Sequence, residues 1–121
     1  MASRDPLQLV PEMCPLFSDF RNGMLEAGVD FIVTCTYRTQ DEQDALFGQG
    51  RTKPGPIVTW TRKSRHTERK AFDIAIVKDG KIAWNPEEYL KAGEIGIKAG
   101  LQWGGNFARN KDYPHFEMKE A

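Results

Sequence analysis

Ala71-Phe72-Asp73-Ile74-Ala75-Ile76-Val77 is the stretch from which the rest of the chain can be placed. It is short, almost wholly apolar and rich in β-branched residues, the signature of a buried strand. Lys78-Asp79-Gly80-Lys81 follows with the Asp-Gly signal of a tight hairpin, which makes Ile82-Ala83-Trp84 a short return strand. Side chains alternate faces along a strand, so Asp73 shares a face with the small residues Ala71 and Ala75. A carboxylate there needs a partner, because an isolated buried charge is very costly. A metal cation is one partner, and small neighbours leave room for it. A nearby arginine is the plainer alternative.

Two histidines complete the pattern. His66 lies seven positions before Asp73, in Ser64-Arg65-His66-Thr67-Glu68-Arg69-Lys70, where a turn can fold it back toward the strand. His115 lies in Lys111-Asp112-Tyr113-Pro114-His115-Phe116-Glu117-Met118, and Pro114 stiffens the approach to it. The chain has no other histidine. Two histidines and one carboxylate are the least that hold a catalytic zinc and leave a position open for water. His66, Asp73 and His115 are therefore the candidate metal ligands. A hydrolytic zinc also needs a general base. Asp112, Glu117 and Glu68 compete for that role, and the two-residue period of a strand slightly favours Glu117, which shares a face with His115. Arg38 is the candidate to stabilise a developing oxyanion, with a surface salt bridge as its alternative.

Upstream, Val10, Met13, Cys14, Phe17, Phe20, Met24 and Leu25 recur at steps of three and four, which predicts an amphipathic helix with Pro11 in its first turn and a stop at Gly28. Asp30 to Thr36 reads as a buried strand. Thr39 with Glu42 forms a capping-box pattern opening a helix that ends at Gly48 or Gly50. Gly50 to Lys63, with two prolines, reads as a long loop, with Trp60 as a lid over the core. Asn85-Pro86 opens another helix, weakened by Gly93 and Gly96. Gly100 to Gly105 reads as a loop, and Tyr113 to Met118 as the last strand. This order implies one α+β domain over residues 1–121, a small, mostly antiparallel sheet with helices packed on it.

Composition narrows the function classes. The 121 residues suit one core, and 40% apolar with 28% charged residues is ordinary for a globular protein. Lys plus Arg and Asp plus Glu are both 17, so net charge gives no support to nucleic-acid or membrane binding. The basic run from Arg62 to Lys70 reads as a solvated surface, or else as a patch that steers the protein to an anionic polymer, in which case activity falls with salt. No apolar run spans a bilayer and residues 1–6 show no signal core, which predicts cytoplasmic synthesis. Cys14 and Cys35 lie far apart in apolar patterns and read as buried reduced thiols, with a disulfide or a zinc thiolate as the alternatives. Nothing points beyond a monomer.

Taken together, Ser-x-His, Ala-x-Asp and Asp-x-Pro-His-Phe-Glu resemble the zinc peptidases of bacterial cell-wall metabolism. These are the D-alanyl-D-alanine carboxypeptidase (VanY-like) group and, most of all, the L-alanyl-D-glutamate endopeptidases used as phage endolysins. Tyr37-Arg38-Thr39 with Glu42-Gln43, Gln49-Gly50-Arg51-Thr52, Val58-Thr59-Trp60-Thr61 and Leu101-Gln102-Trp103-Gly104-Gly105 are further matches, so the resemblance runs from Phe31 to Met118. It implies a Hedgehog/D-Ala-D-Ala peptidase-like fold, zinc on His66, Asp73 and His115, and Asp112 rather than Glu117 as base. It also implies Arg38 on the scissile carbonyl oxygen, and Ser64, Tyr37, Gln43 and Trp103 near the substrate. The substrate implied is peptidoglycan, cut between L-Ala and D-Glu, by a bare catalytic unit that reaches the wall after release from the host cytoplasm. A D-alanyl-D-alanine carboxypeptidase is the alternative, and a non-catalytic zinc module a weaker one. The chain departs from the family at Arg69, where a glycine is usual. A residue other than glycine is strained there if φ is positive.

Overall fold

The computed structural model describes residues 2–59, 61 and 64–119. The lid reading of Trp60 and the first two basic residues of the run, Arg62 and Lys63, lie outside them. Three α-helices and five strands follow the chain in the order α1 (Met13–Ala27), β1 (Asp30–Cys35), α2 (Gln40–Gly48), β2 (Ala71–Lys78), β3 (Lys81–Ala83), α3 (Leu90–Lys98), β4 (Leu101–Trp103) and β5 (His115–Met118). The sheet order is β1-β2-β5-β4, with β3 also pairing β2, and every pairing is antiparallel.

Strand β2 is the spine of this sheet, and its alternation sorts the two faces. Phe72, Ile74 and Ile76 join Phe116, Leu101 and Trp103 in the core, against Met13, Phe17, Phe20 and Met24 of α1 and Ala92 of α3. Phe20 packs against the rings of Phe72 and Phe116 at 5.3 and 4.7 Å. Asp73, His115 and Glu117 fall on the opposite face by the same period. Burying one face against helices therefore leaves the other free for chemistry.

Local signals act where the sequence places them. Thr39 and Glu42 form the reciprocal capping box of α2. Asp79 and Gly80 both have positive φ, as a two-residue hairpin of this hand requires. Tyr89 is buried with its hydroxyl satisfied, donating to the Ala83 carbonyl (2.7 Å) and accepting from the Ile76 N–H (3.2 Å), which ties the entry to α3 to the hairpin.

Four expectations are corrected. Helix α1 begins at Met13 rather than Val10, with Pro11 in the turn before it. The span from Gly100 to Gly105 is not wholly loop. Leu101–Trp103 is a strand, buried at Leu101 and Trp103, and the flanking glycines hid it. Gly93 and Gly96 do not merely weaken α3. A Cβ on Gly93 would meet the Trp103 ring at 2.4 Å and one on Gly96 the Phe116 ring at 2.5 Å, so glycine is what lets the helix lie against the sheet. Of the two free thiols, Cys35 is buried as expected, but Cys14 is exposed.

Candidate metal centre and active-site pocket

His115 and Asp73 are direct partners across β5 and β2, so the ladder alone brings a ring and a carboxylate together. His115 Nδ1 lies 2.9 Å from Asp73 Oδ1. His66 Nε2 lies 3.1 Å from the same oxygen. The two imidazoles face each other edge-on at 5.1 Å between centroids. Both histidines are buried, and Asp73 is partly open. The structure thus gathers the three sequence-derived candidates around one carboxylate oxygen.

His66 is set by a single capped turn. Ser64 Oγ accepts from the His66 N–H (3.1 Å) and the Ser64 carbonyl accepts from the Thr67 N–H (3.0 Å). At the other end the Lys70 N–H returns to the Arg65 carbonyl and the Arg69 N–H to the His66 carbonyl, the paired bonds of a Schellman ending. The residue that closes such a turn is left-handed, and Arg69 is, with φ of 61°. Here lies the reason for a glycine at this position. Arg69 offsets its strain with its side chain. Its guanidinium stacks 3.9 Å from the Tyr37 ring centroid and donates to Gln8 Oε1 at 2.8 Å, latching the arm before α1. Arg69→Gly should therefore unfold at a higher temperature than Arg69→Ala. Both lose the latch, but only the alanine keeps a left-handed penalty of about 1–2 kcal/mol. Thermal unfolding of the two variants side by side checks this, and equal melting temperatures would count against it.

A bulge in β1 adds a residue sequence reading missed. Val33 pairs Ile74 and Cys35 pairs Asp73, so Thr34 is extra and Cys35 is turned onto the site face. Cys35 Sγ then lies 3.5 Å from His66 Nδ1, whose other neighbour is the Thr36 carbonyl at 3.3 Å. A carbonyl accepts only, so Nδ1 carries hydrogen and Nε2 is the nitrogen aimed at Asp73. Cys35 Sγ, a ring nitrogen of His66 and a carboxylate oxygen of Asp73 all lie within 4.8 Å of one another, so the thiol stands beside the histidine as a further candidate donor.

The charges of the cluster are interlocked. Burial pulls the His66 pKa down, but the Asp73 carboxylate and the Cys35 thiol beside the ring outweigh it and raise it to about 9. Burial likewise opposes protonation of His115, yet Asp73 on Nδ1 and Glu117 on Nε2 (2.8 Å) lift it to about 10. Burial pushes Asp73 up, and the two imidazoles more than reverse this, holding it well below the usual carboxylate range. His66 Nε2 is buried and, despite the short distance to Asp73, makes no hydrogen bond of acceptable geometry. An orphaned ring nitrogen, a second imidazole and a carboxylate aimed at one point form a donor set that fits a small divalent cation. A carboxylate oxygen of Asp112 lies within 4.8 Å of donor atoms of Asp73 and His115, at the edge of this set. Burial of its carboxyl and the charge of Asp73 push its pKa up.

These groups line one pocket of about 580 Å³ with Arg38, Ser64, Arg65, Glu117 and an apolar wall of Leu46, Val58 and Phe107. Arg38 Nη1 donates to Gln43 Oε1 (2.6 Å) and Nη2 to Cys35 Sγ (3.5 Å), while its buried Nε has no partner among the described residues. Glu117 does share the face of His115, as strand period predicts, but its carboxylate is engaged by His115 Nε2. Glu68 is drawn away to Arg65 at 3.2 Å. Three expected substrate contacts, Tyr37, Gln43 and Trp103, are not among the residues that line this pocket. Tyr37 lies under Arg69. Gln43 is buried, bracing Arg38 and donating to the Thr61 carbonyl at 2.6 Å. Trp103 is core, and its Nε1 donates to the Tyr113 carbonyl at 2.8 Å. In the basic run, Arg65 and Arg69 are turned to local partners rather than presented as a patch.

Comparison with known proteins agrees with this geometry. Residues 58–118 match the peptidase M15 family model described as D-alanyl-D-alanine carboxypeptidase. The peptidoglycan L-alanyl-D-glutamate endopeptidase CwlK of Bacillus subtilis (strain 168) is 43% identical over 103 residues, covering 75% of this chain and 62% of that protein. An L-alanyl-D-glutamate peptidase of Listeria phage A118 is 26% identical over 94 residues, covering 75% of this chain and 31% of that protein. The chain thus spans less than two thirds of either relative. The crystal structure of the Serratia marcescens L-Ala D-Glu endopeptidase ChiX superposes with a TM-score of 0.77 over 98% of this chain and 89% of that one, at 21% identity, which bears out the expected fold. With the family model matched over half the chain and the expected fold in place, the chain belongs to the M15 peptidases, a family of metallopeptidases.

Proposed function

We propose that this chain is a zinc-dependent peptidoglycan hydrolase that cleaves the L-Ala–D-Glu amide of the stem peptide, with residues 1–121 forming one catalytic unit. The observation that carries it is the convergence of His66, Asp73 and His115 beside Asp112 and Arg38 in a single pocket. The names of the matched relatives supply the bond.

Zinc held by His66 Nε2, Asp73 and His115 Nδ1 would supply Lewis acidity, which lowers the pKa of water and polarises a carbonyl. The chain's own residues do the rest. Asp112 takes the proton of the attacking water and later returns it to the leaving amine. Its raised pKa makes it a better proton acceptor than an ordinary exposed carboxylate. Arg38, braced by Gln43 and lining the pocket, supplies its guanidinium charge to the carbonyl oxygen as negative charge grows there. Leu46, Val58 and Phe107 keep bulk water from one side of the pocket. Ser64 acts through its hydrogen bond to His66, positioning a ligand rather than gripping substrate. Glu117 orients His115 from its far nitrogen, as carboxylates do behind metal-bound histidines. Glu117→Gln should accordingly weaken zinc about 10–100-fold, read by competition with a chromophoric chelator, and unchanged affinity would remove that role.

Among the described residues no helix is long and apolar enough to cross a membrane. The phage relative favours a lytic setting, with synthesis in a host cytoplasm and action on the wall after release. The reading is tested by mass spectrometry of purified sacculi digested with and without a chelator. New D-Glu amino termini that the chelator abolishes are the expected result. Release of free D-Ala would favour the carboxypeptidase described by the family model. No cleavage at all would return the chain to a zinc-binding module.

A further inference from the structure

Among the described residues four arginine and lysine side chains line the pocket, and three of them are already committed. Arg38 is held by Gln43 and Cys35. Arg65 is held by Glu68, by the Met118 carbonyl at 3.2 Å and, at 3.9 Å, by Glu117. Lys111 Nζ donates to the Gly105 and Phe107 carbonyls at 3.1 and 3.2 Å. Arg109 has no hydrogen bond or ion pair among the described residues, although it lines the same pocket.

Its loop is braced around it. The Phe107 and Asp112 N–H groups both return to the Gly104 carbonyl, and a Cβ on Gly104 would meet the Asp112 carbonyl oxygen at 2.2 Å. Lys111 ties down the same segment. Asn110 takes a left-handed φ of 52°, turning the chain between Arg109 and Asp112. One short, anchored loop therefore carries both the proton-transfer carboxylate and an unengaged guanidinium.

The chemistry of the substrate supplies what such a group would hold. Asp112 returns its proton to the leaving nitrogen, so Arg109 sits on the leaving-group side. That nitrogen belongs to a glutamyl residue, which has two carboxyl groups, and continuation of the peptide consumes only one. The other arrives in a pocket already lined by Asp73, Asp112 and Glu117, which repel it. A guanidinium matches a carboxylate in shape, charge and paired donors.

We propose that Arg109 is the specificity residue that receives the free carboxylate of the glutamyl residue on the leaving side of the scissile amide. This rests on the endopeptidase reading above and deepens it. The consequence is discrimination by wall chemistry: stems in which that carboxyl is amidated are poor substrates.

The test uses two synthetic stem peptides that differ only in whether that carboxyl is free or amidated, with the zinc-loaded protein as wild type, Arg109→Gln and Arg109→Lys. Hydrogen bonds to charged groups are worth about 1.5–3 kcal/mol, or ~10–150-fold. Wild type should prefer the acid in kcat/KM by a factor in that range. Arg109→Gln should lose it on the acid while staying within about twofold on the amide, and Arg109→Lys should fall between. Melting temperature and zinc affinity should not change, since Arg109 holds nothing in the fold. Equal cleavage of acid and amide by wild type, or equal losses on both in Arg109→Gln, would overturn this proposal and leave the endopeptidase reading standing. Failure of wild type to cut either peptide at the Ala–Glu bond would overturn both.

Discussion

Asp73→Asn should leave a folded protein that no longer retains zinc and no longer hydrolyses wall peptides. The activity loss should be at least ~10³-fold, since a metal supplies several kcal/mol of transition-state stabilisation. The same substitution should be visible without any metal. In the metal-free wild type the Asp73 carboxylate lies against both rings and helps hold the His66 and His115 pKa values up, at about 9 and about 10. An amide removes that charge, so burial, which favours neutral imidazole, is opposed only by Cys35 at His66 and by Glu117 and Asp112 at His115. Both titrations should then move down sharply, as NMR of the ring protons would show. Stability follows with a definite sign. Histidine pKa values raised above the ordinary 6.5 give a stabilisation fully present below 6.5 and lost as pH rises through about 9 to 10. The Asp73 pKa is lowered, so its share is present above the ordinary carboxylate value and lost only as pH falls well below it. Metal-free wild type should thus soften as pH rises from about 6.5 to about 10, and Asp73→Asn should show a much smaller step. Zinc must displace these ring protons, so wild-type affinity should climb by about tenfold per pH unit for each proton released. An Asp73→Asn protein that bound zinc as tightly as wild type would remove Asp73 from the ligand set.

How much of this was legible beforehand depended on whether a residue's role is written in its own period. Asp73 was legible because strand alternation and two flanking alanines isolate it on a face, and the two histidines because the chain has no others. The capping box at Thr39 and the Asp79-Gly80 hairpin were legible because both signals are local. Strand β4 was not, since three residues between glycines show no period. The Schellman turn closed by Arg69 could be suspected only from the missing glycine. Tyr37, Gln43 and Trp103 show the limit of motif resemblance. Residues that travel with a site include those that brace it from behind, and the sequence does not say which way a side chain turns. Cys35 beside His66 and Asp73 depends on a one-residue bulge, and Arg109 on the path of an aperiodic loop. Glu117 was placed on the correct face, but a face does not reveal that His115 Nε2 claims its carboxylate.

That last distinction separates two acidic residues that a sequence reader would weigh almost equally, and Asp112→Asn should tell them apart. Asp112 is not among the proposed zinc ligands and gives its main-chain groups, not its carboxylate, to the fold, its carbonyl accepting from the His115 N–H at 3.1 Å. The amide keeps those bonds, so zinc should stay bound and melting should be unchanged. Activity should nevertheless fall by roughly 10²–10⁴-fold, the usual worth of a positioned general base. The raised Asp112 pKa adds a second reading. In the metal-free protein the Asp112 carboxyl should lose its proton above the ordinary carboxylate range, as NMR of the side chain would show, and that titration should vanish in Asp112→Asn. Glu117→Gln should behave in the opposite way, losing zinc at limiting metal and recovering most activity when zinc saturates. Should Asp112→Asn remain fully active while zinc-saturated Glu117→Gln is dead, the base lies on β5 and the hydrogen bond between Glu117 and His115 must break during turnover.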